Sequence, residues 1–332
     1  VFKCVLWAVG MAVLAGCGGG FSAPPLLRTS APSTPQSGTL YVANASMVEA
    51  FPLGATDPAP PSLSLTGFFD AGPGGKVNAS IGAIGAGPGQ TVVVGTNVYP
   101  SPSVVGCRFA EYATTATSSS DFRSSVACPN PPEQTSIAIT ARSIVENANG
   151  AIDYVSFDDK VYRLPPNGAW VVRLQATGAS DVFGMTEDSA GNIYLARGSP
   201  NRVEVYQGTA DIAAPATFRT VALPGSTDGP IAVASDGTIY VAYFTTSTYV
   251  AAIDTSGRTL RTIGPLVGTA GGLAVDAGGE LYVALNQATT IDFVQVYASN
   301  ANGGVAPIRE LTMPIPAGVK GGSAIVGLAV AQ

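Results

Sequence analysis

Short stretches in which apolar and polar residues alternate run through the chain from about residue 39 to its end. Val203-Glu204-Val205-Tyr206 and Val294-Gln295-Val296-Tyr297 put every second residue on one apolar face, the period of a half-buried strand. Between such stretches one more strongly apolar segment returns. It reads Gly38-Thr39-Leu40-Tyr41-Val42-Ala43, Gly191-Asn192-Ile193-Tyr194-Leu195-Ala196, Gly237-Thr238-Ile239-Tyr240-Val241-Ala242 and Gly279-Glu280-Leu281-Tyr282-Val283-Ala284. Looser copies lie at Gly89–Gly95, where Val92-Val93-Val94 replaces the Leu-Tyr-Val core, and at Gly150–Val155, where Asp153 interrupts it. Tyr194, Tyr240 and Tyr282 fall 46 and 42 residues apart, a period suited to four-stranded propeller blades.

Each unit supplies the other strands in a fixed order. A strand of small residues comes first, as in Gly272-Leu273-Ala274-Val275-Asp276, Ile231-Ala232-Val233-Ala234 and Ile137-Ala138-Ile139-Thr140; small side chains suit an innermost strand crowded around an axis. A last strand reads Phe218-Arg219-Thr220-Val221, Leu260-Arg261-Thr262-Ile263 and Ile308-Arg309-Glu310-Leu311, with its Arg expected on the exposed outer edge. These segments resemble the NHL-type and related six-bladed β-propellers over residues 39–332. The resemblance implies an all-β fold of six four-stranded antiparallel blades. Gly327-Leu328-Ala329-Val330-Ala331 is a further innermost strand with no blade after it, whereas the first unit begins at the Tyr strand. The C-terminal strand is therefore expected to join the N-terminal blade and close the ring. A β-sandwich or an open solenoid of β-meanders is the alternative.

Composition agrees with many short elements. Of 332 residues 46% are hydrophobic and 11% charged, with 40 Gly and 25 Pro, which favours turns over long helices. The net charge is -6, and the 16 Lys and Arg are scattered singly, so no basic stripe is available for nucleic acid. The chain has no His. That excludes His acid–base catalysis, Ser-His-Asp and Cys-His triads, and His-ligated metals; propeller lyases that inactivate antibiotics and quinone-dependent glucose dehydrogenases, which rely on His, are set aside. Asp188 with Gly191, Asp236 with Gly237 and Asp276 with Gly279 do not match a sialidase Asp-box and are expected to be hairpin turns.

The N-terminus reads as an address. After Lys3 the run Cys4–Ala15 is apolar, shorter than the roughly 20 residues of a membrane-spanning helix. Leu14-Ala15-Gly16-Cys17 resembles the lipobox of bacterial lipoproteins, which implies a signal peptide over residues 1–16 and an acylated Cys17 as the mature N-terminus. An ordinary secretory signal or the start of a membrane helix is the alternative. Gly18, in place of Asp, implies by the same resemblance an outer-membrane address. Residues 17–38 are a tether rich in Gly, Ser and Pro, and the propeller follows over 39–332.

With Cys4 removed and Cys17 acylated, Cys107 and Cys128 remain in an exported body and are expected to form a disulfide. The crosslink limits the unfolded ensemble by roughly 3 kcal/mol; two buried free thiols are the alternative.

Propellers carry ligands at one mouth of the channel. The candidates on that face are Asn44, Asn97, Asp158, Asn201 and Asn286 between second and third strands, with Asp181 and Asp228 between blades. Their oxygens suit Ca²⁺, a hard cation, and resemblance to gluconolactonase-like propellers implies a metal-dependent lactonase or ester hydrolase. Asn and Asp are also ordinary turn formers, and no catalytic residue is assigned. The favoured reading is an interaction module: a monomeric ring held on the membrane by Cys17 that binds an envelope protein or glycan. Its contact surface is expected among the divergent loops of the first two units, Gly67–Asn78, Pro100–Gly106 and the Cys107–Cys128 excursion, beside Thr312–Ser323.

Overall fold

The computed structural model describes residues 37–331 apart from 45, 67–77, 88–90, 102–103, 114–115, 117–121, 129–142, 148, 156–159, 167, 176–181, 199, 209–218, 228, 288–290 and 315–323. Cys17 and the tether thus lie outside the described residues, as do Asp158, Asp181 and Asp228. Among the described residues, 24 strands form six four-stranded antiparallel sheets. Blade 1 holds β1 (Thr39–Asn44), β2 (Met47–Pro52) and β3 (Leu63–Thr66). Blade 2 holds β4 (Asn78–Gly87), β5 (Thr91–Ser101), β6 (Val104–Ala113) and β7 (Phe122–Ala127), and blade 3 β8 (Ser143–Glu146), β9 (Ile152–Val155), β10 (Lys160–Leu164) and β11 (Val171–Gln175). Blade 4 is β12 (Val182–Glu187), β13 (Ile193–Gly198), β14 (Asn201–Tyr206) and β15 (Arg219–Ala222). Blade 5 is β16 (Ile231–Val233), β17 (Ile239–Phe244), β18 (Thr248–Ile253) and β19 (Thr259–Leu266), and blade 6 β20 (Thr269–Val275), β21 (Leu281–Asn286), β22 (Ile291–Tyr297) and β23 (Arg309–Pro314).

The last strand, β24 (Ile325–Ala331), completes blade 1. It pairs with β1 from Thr39↔Ala331 to Ala43↔Gly327, so the blade is built from both ends of the propeller. The inner strands β24, β4, β8, β12, β16 and β20 each touch the next, and β20 returns to β24. The expected six-bladed ring, its four-stranded blades and its C-terminal closure are all present.

Glycine at the axis has a steric cause. A Cβ on Gly184 would overlap the carbonyl oxygen of Gly229, and one on Gly271 the carbonyl oxygen of Ile325. At Gly85 it would lie 2.6 Å from the Ile144 oxygen. Each clash is with the backbone of the neighbouring inner strand or, at Gly229, of the chain leading into it, which cannot swing aside. Farther out, six apolar clusters fill the six seams between blades, for example Tyr41, Val48 and Leu65 of blade 1 against Ile84, Val92 and Tyr112 of blade 2.

Loops also reach from blade to blade. The segment after β22 lies along the outer edge of β19: Gly264 N–H donates to Gly303 O at 3.1 Å, and Gly303 N–H to Thr262 O at 2.6 Å. The segment after β2 covers β23 in the same way, with Asp57 N–H donating to Glu310 O at 3.1 Å. In blade 3, Trp170 Nε1–H donates to Ala127 O on β7 at 2.8 Å. In each case a loop occupies part of an otherwise open strand edge.

Four expectations change. The inner strand of blade 3 is Ser143–Glu146; Ile137–Thr140 lies outside the described residues. A tight turn sets the register, since Asn147 Oδ1 accepts from the N–H groups of Asn149 and Ala151 and delivers the chain directly into β9. The Arg of the last strand does not lie out on the edge. Arg261 Nη2 donates to the Tyr240 hydroxyl at 3.1 Å, and Arg309 is half-buried against Glu280, Tyr282 and the carbonyl of Leu53, where hydrogen bonds and an ion pair along the blade outweigh full hydration. Pro100–Gly106 is no loop but mostly strand, because β5 continues to Ser101 and β6 begins at Val104. The Cys107–Cys128 excursion holds most of β6 and all of β7, paired from Arg108↔Ala127 to Tyr112↔Phe122.

Gly184→Ala lowers the unfolding free energy by about 1–3 kcal/mol, read by urea denaturation. Gly54→Ala, where nothing lies within 4 Å of the new methyl, leaves it unchanged.

Candidate functional site

Each inner strand is the edge of its sheet and turns one side toward the axis. Together the six strands line a central channel of about 520 Å³. Six equivalent positions encircle its base, where in blades 2 to 6 the first strand turns into the second and in blade 1 β24 ends beside the start of β1. They are the residues that face the first apolar position of the second strand: Ala86 opposite Val92, Glu146 opposite Ile152, Glu187 opposite Ile193, Val233 opposite Ile239, Val275 opposite Leu281 and Val330 opposite Leu40. Four are Val or Ala; two in adjacent blades are carboxylates. Glu146 and Glu187 are the only ionisable groups among the described lining residues.

Each glutamate reaches back to the preceding blade. Glu146 accepts the Thr91 hydroxyl hydrogen of blade 2; burial raises its pKa, against the lowering effect of that bond. Glu187 accepts from Arg173 Nη1 of blade 3 at 2.9 Å. Arg173 also pairs with Asp153, and its Nη2 donates to Gly191 O at 2.9 Å. Asp153, fully buried, is held through both oxygens by Arg163 at 2.8 and 2.7 Å. Asp153 stands where the repeat has Tyr. Two carboxyl groups and two guanidiniums therefore form one cluster across the seam between blades 3 and 4. Burial and the adjoining Asp153 carboxyl push the Glu187 pKa up to about 7, outweighing Arg173.

A further set of polar groups locks the hairpins at the same end of the ring. Asp188 Oδ1 accepts from the N–H groups of Ala190 and Asn192, and Oδ2 takes the Tyr194 hydroxyl hydrogen at 2.8 Å. Asp276 takes the Tyr282 hydroxyl hydrogen at 3.1 Å and the Glu280 N–H at 2.8 Å. Burial, with these carboxylates, raises both tyrosine pKa values. Asp188, Asp236 and Asp276 are turn residues: Gly191, Gly237 and Gly279 follow at positive φ, and Asp236 Oδ1 accepts the Thr238 N–H at 2.9 Å.

Asn44, Asn97, Asn201 and Asn286 lie at the opposite end, where second strands lead into third strands, but they do not converge. Asn44 Oδ1 accepts from Ser46 N–H, the Ser46 hydroxyl and Met47 N–H, which closes its own turn. Asn286 Nδ2 donates to Ile325 O at 3.0 Å while Ile325 N–H donates to its Oδ1 at 2.8 Å. Asn286 thus clamps the closing strand to blade 6. Asp292, not singled out from the sequence, sits beside this clamp, buried, with its Oδ1 accepting Gln287 N–H at 3.0 Å. Only Asn97 and Asn201 keep a buried Oδ1 without a hydrogen bond, and they belong to blades 2 and 4. Among the described candidates, these two amide oxygens are fewer than the six to eight that Ca²⁺ takes, and Asp158, Asp181 and Asp228 lie outside the described residues. No group of three Cys, Asp or Glu among the described residues is placed to hold a metal.

Cys107 and Cys128 form the expected disulfide, with Cα atoms 5.3 Å apart. It joins the third and fourth strands of blade 2 beside Phe109, Tyr154 and Trp170.

No protein-family model matches the chain, and no curated protein does. Solved structures share its architecture. A protein of unknown function from Bacteroides caccae superposes with a TM-score of 0.56 at 10% identity, over 90% of this chain and 100% of that one. The WD40 β-propeller domain of Doa1 does so at 0.53 and 14%, over 89% and 83%. A catalytically inactive virginiamycin B lyase from Staphylococcus aureus with quinupristin gives 0.49 and 13%, over 72% and 71%. At these identities the likeness is one of fold alone.

Two outcomes test this geometry. Between its ordinary pKa near 4.5 and about 7, Glu187 holds a proton in the native state that the unfolded chain has lost, so stability falls as pH rises through that window. Glu187→Gln flattens the fall in melting temperature between pH 5 and 7, read by thermal denaturation across that range. Asn286→Ala removes both clamp bonds and lowers the unfolding free energy by about 1–3 kcal/mol, measured in urea at constant pH.

Proposed function

We propose that the protein is a lipid-anchored component of a bacterial envelope, held on the outer membrane through acylated Cys17, whose propeller is a binding or scaffolding module for an envelope protein or glycan. The observation that carries this reading is the β5–β6 hairpin. Its strands have 11 and 10 residues, whereas the second and third strands of blades 1, 4 and 5 have six each. At about 3.3 Å per residue the surplus extends blade 2 by roughly 15 Å. The extension lies on the face where the chain crosses between blades. An arm on a closed ring, rooted beside a disulfide, presents a contact surface at little ordering cost. A multiply acylated cysteine anchors stably where one chain does not, and no helix among the described residues is long and apolar enough to cross a membrane.

Two experiments address the two parts of the proposal. Cells expressing the full chain with labelled palmitate incorporate label into the wild type and none into Cys17→Ala; equal labelling removes the anchor. Replacing residues 98–106 by Asn-Gly, a two-residue hairpin turn, leaves the melting temperature within a few degrees and removes proteins or glycans that copurify with the wild type from membranes. An unchanged set of partners removes the arm.

A further inference from the structure

The outer strand of blade 2 is unusual among the blades. From Phe122 to Ser125 all four residues of β7 are exposed, and Ala127 is too; only Val126 is half-buried. Its attachment is chiefly the ladder to β6, which slips register between Glu111 and Tyr112. An edge strand that buries so little apolar surface belongs to the low-stability end of a structure. Two further ties hold its C-terminal end. One is the bond from Trp170 Nε1–H to Ala127 O, and the other is the disulfide immediately after the strand, reinforced by Cys128 N–H donating to Cys107 O at 3.0 Å.

The seam beneath does not need this strand. The cluster between blades 2 and 3 is built from Val93, Phe109, Ile144 and Tyr154, with Val126 at its margin. The two sulfurs differ in access, because Cys107 is 7% exposed and Cys128 half-buried.

We propose that the Cys107–Cys128 disulfide is a redox latch, opened by a dithiol, that decides whether the outer strand of blade 2 stays docked while the rest of the ring remains folded. The thiolate of an incoming dithiol attacks Cys128 Sγ, the more accessible sulfur, and the Sγ–Sγ bond breaks with the electron pair leaving on Cys107. The second thiolate of the dithiol then attacks its own sulfur in the mixed disulfide and releases Cys128. The dithiol ends as a disulfide, oxidised by two electrons, and the two cysteines take up two electrons and two protons. With the crosslink gone, β7 keeps the ladder and the Trp170 bond, and its local opening becomes more frequent.

Limited trypsin digestion of the full chain reads this directly, because Arg123 lies in β7 with 55% of its side chain exposed. With dithiothreitol, cleavage at Arg123-Ser124 speeds up by at least about tenfold, the signature of a local opening. Cleavage at Arg258, already exposed on blade 5, keeps its rate, and thermal unfolding remains one transition. In a Trp7→Phe background Trp170 is the sole indole, and its emission rises as the neighbouring disulfide is reduced and the indole bond loosens. Cys107→Ser/Cys128→Ser digests at the fast rate without dithiol. An unchanged rate at Arg123, a double variant as resistant as the wild type, or acceleration at every blade overturns the latch.

Discussion

Crowding at the axis is the constraint on which this molecule rests. Six strands meet there with their edges toward one another, and where Gly184 faces Gly229, or Gly271 faces Ile325, even one methyl has no room. Only Gly, Ala and other small residues let the sheets approach closely enough for the larger side chains farther out to interlock. The apolar clusters between blades are therefore a consequence of the narrow centre as much as a cause of it. Stability here comes from contacts between successive blades, each of which leaves its flanking faces uncovered alone.

The ring is not uniform, and its departures from uniformity are polar. From blade 5 round to blade 1 the base of the channel is lined by Val233, Val275 and Val330. Across blades 2, 3 and 4 the same level holds Glu146 and Glu187, tied to Thr91, Arg163, Arg173 and Asp153. A buried charge cluster is weak evidence for stability but strict about geometry, since removing one member strands its partners. Those seams are thus less forgiving of a shift between blades than the valine-lined ones. The disulfide lies in the first of them, where the repeat is most irregular.

Much of the architecture was legible in the sequence because the repeat obeys backbone rules that side chains report faithfully. Gly-x-Leu/Ile-Tyr-Val-Ala marks a second strand and Ala-Val-Asp the strand and turn before it, and the surplus strand at Gly327–Ala331 foretold the closure. What escaped reading lay where the repeat decays. Ile137–Thr140 carries the small-residue look of an inner strand, yet the tight Asn147 turn places Ser143–Glu146 there. That error concealed Glu146, whose position is recognisable only once its register is known. Asp153 was visible as an interruption of the Tyr motif, but its arginine partners come from two other strands, 10 and 20 residues away. Asn286 was read as a ligand-face candidate because an Asn at a strand end looks alike whether it faces solvent or clamps a strand that arrives 39 residues later.

The closing strand also sets an order of events. Thr39 pairs with Ala331, so the first strand waits through the synthesis of nearly the whole propeller for its inner neighbour. Until then β1 offers an unpaired edge and the nascent chain is an open arc whose terminal blades lack a partner. Contacts of such sequence separation form late, and an incomplete product cannot imitate the finished one. Arrival of the last strand is thereby written into the topology: only with β24 in place does the ring lose its two open edges.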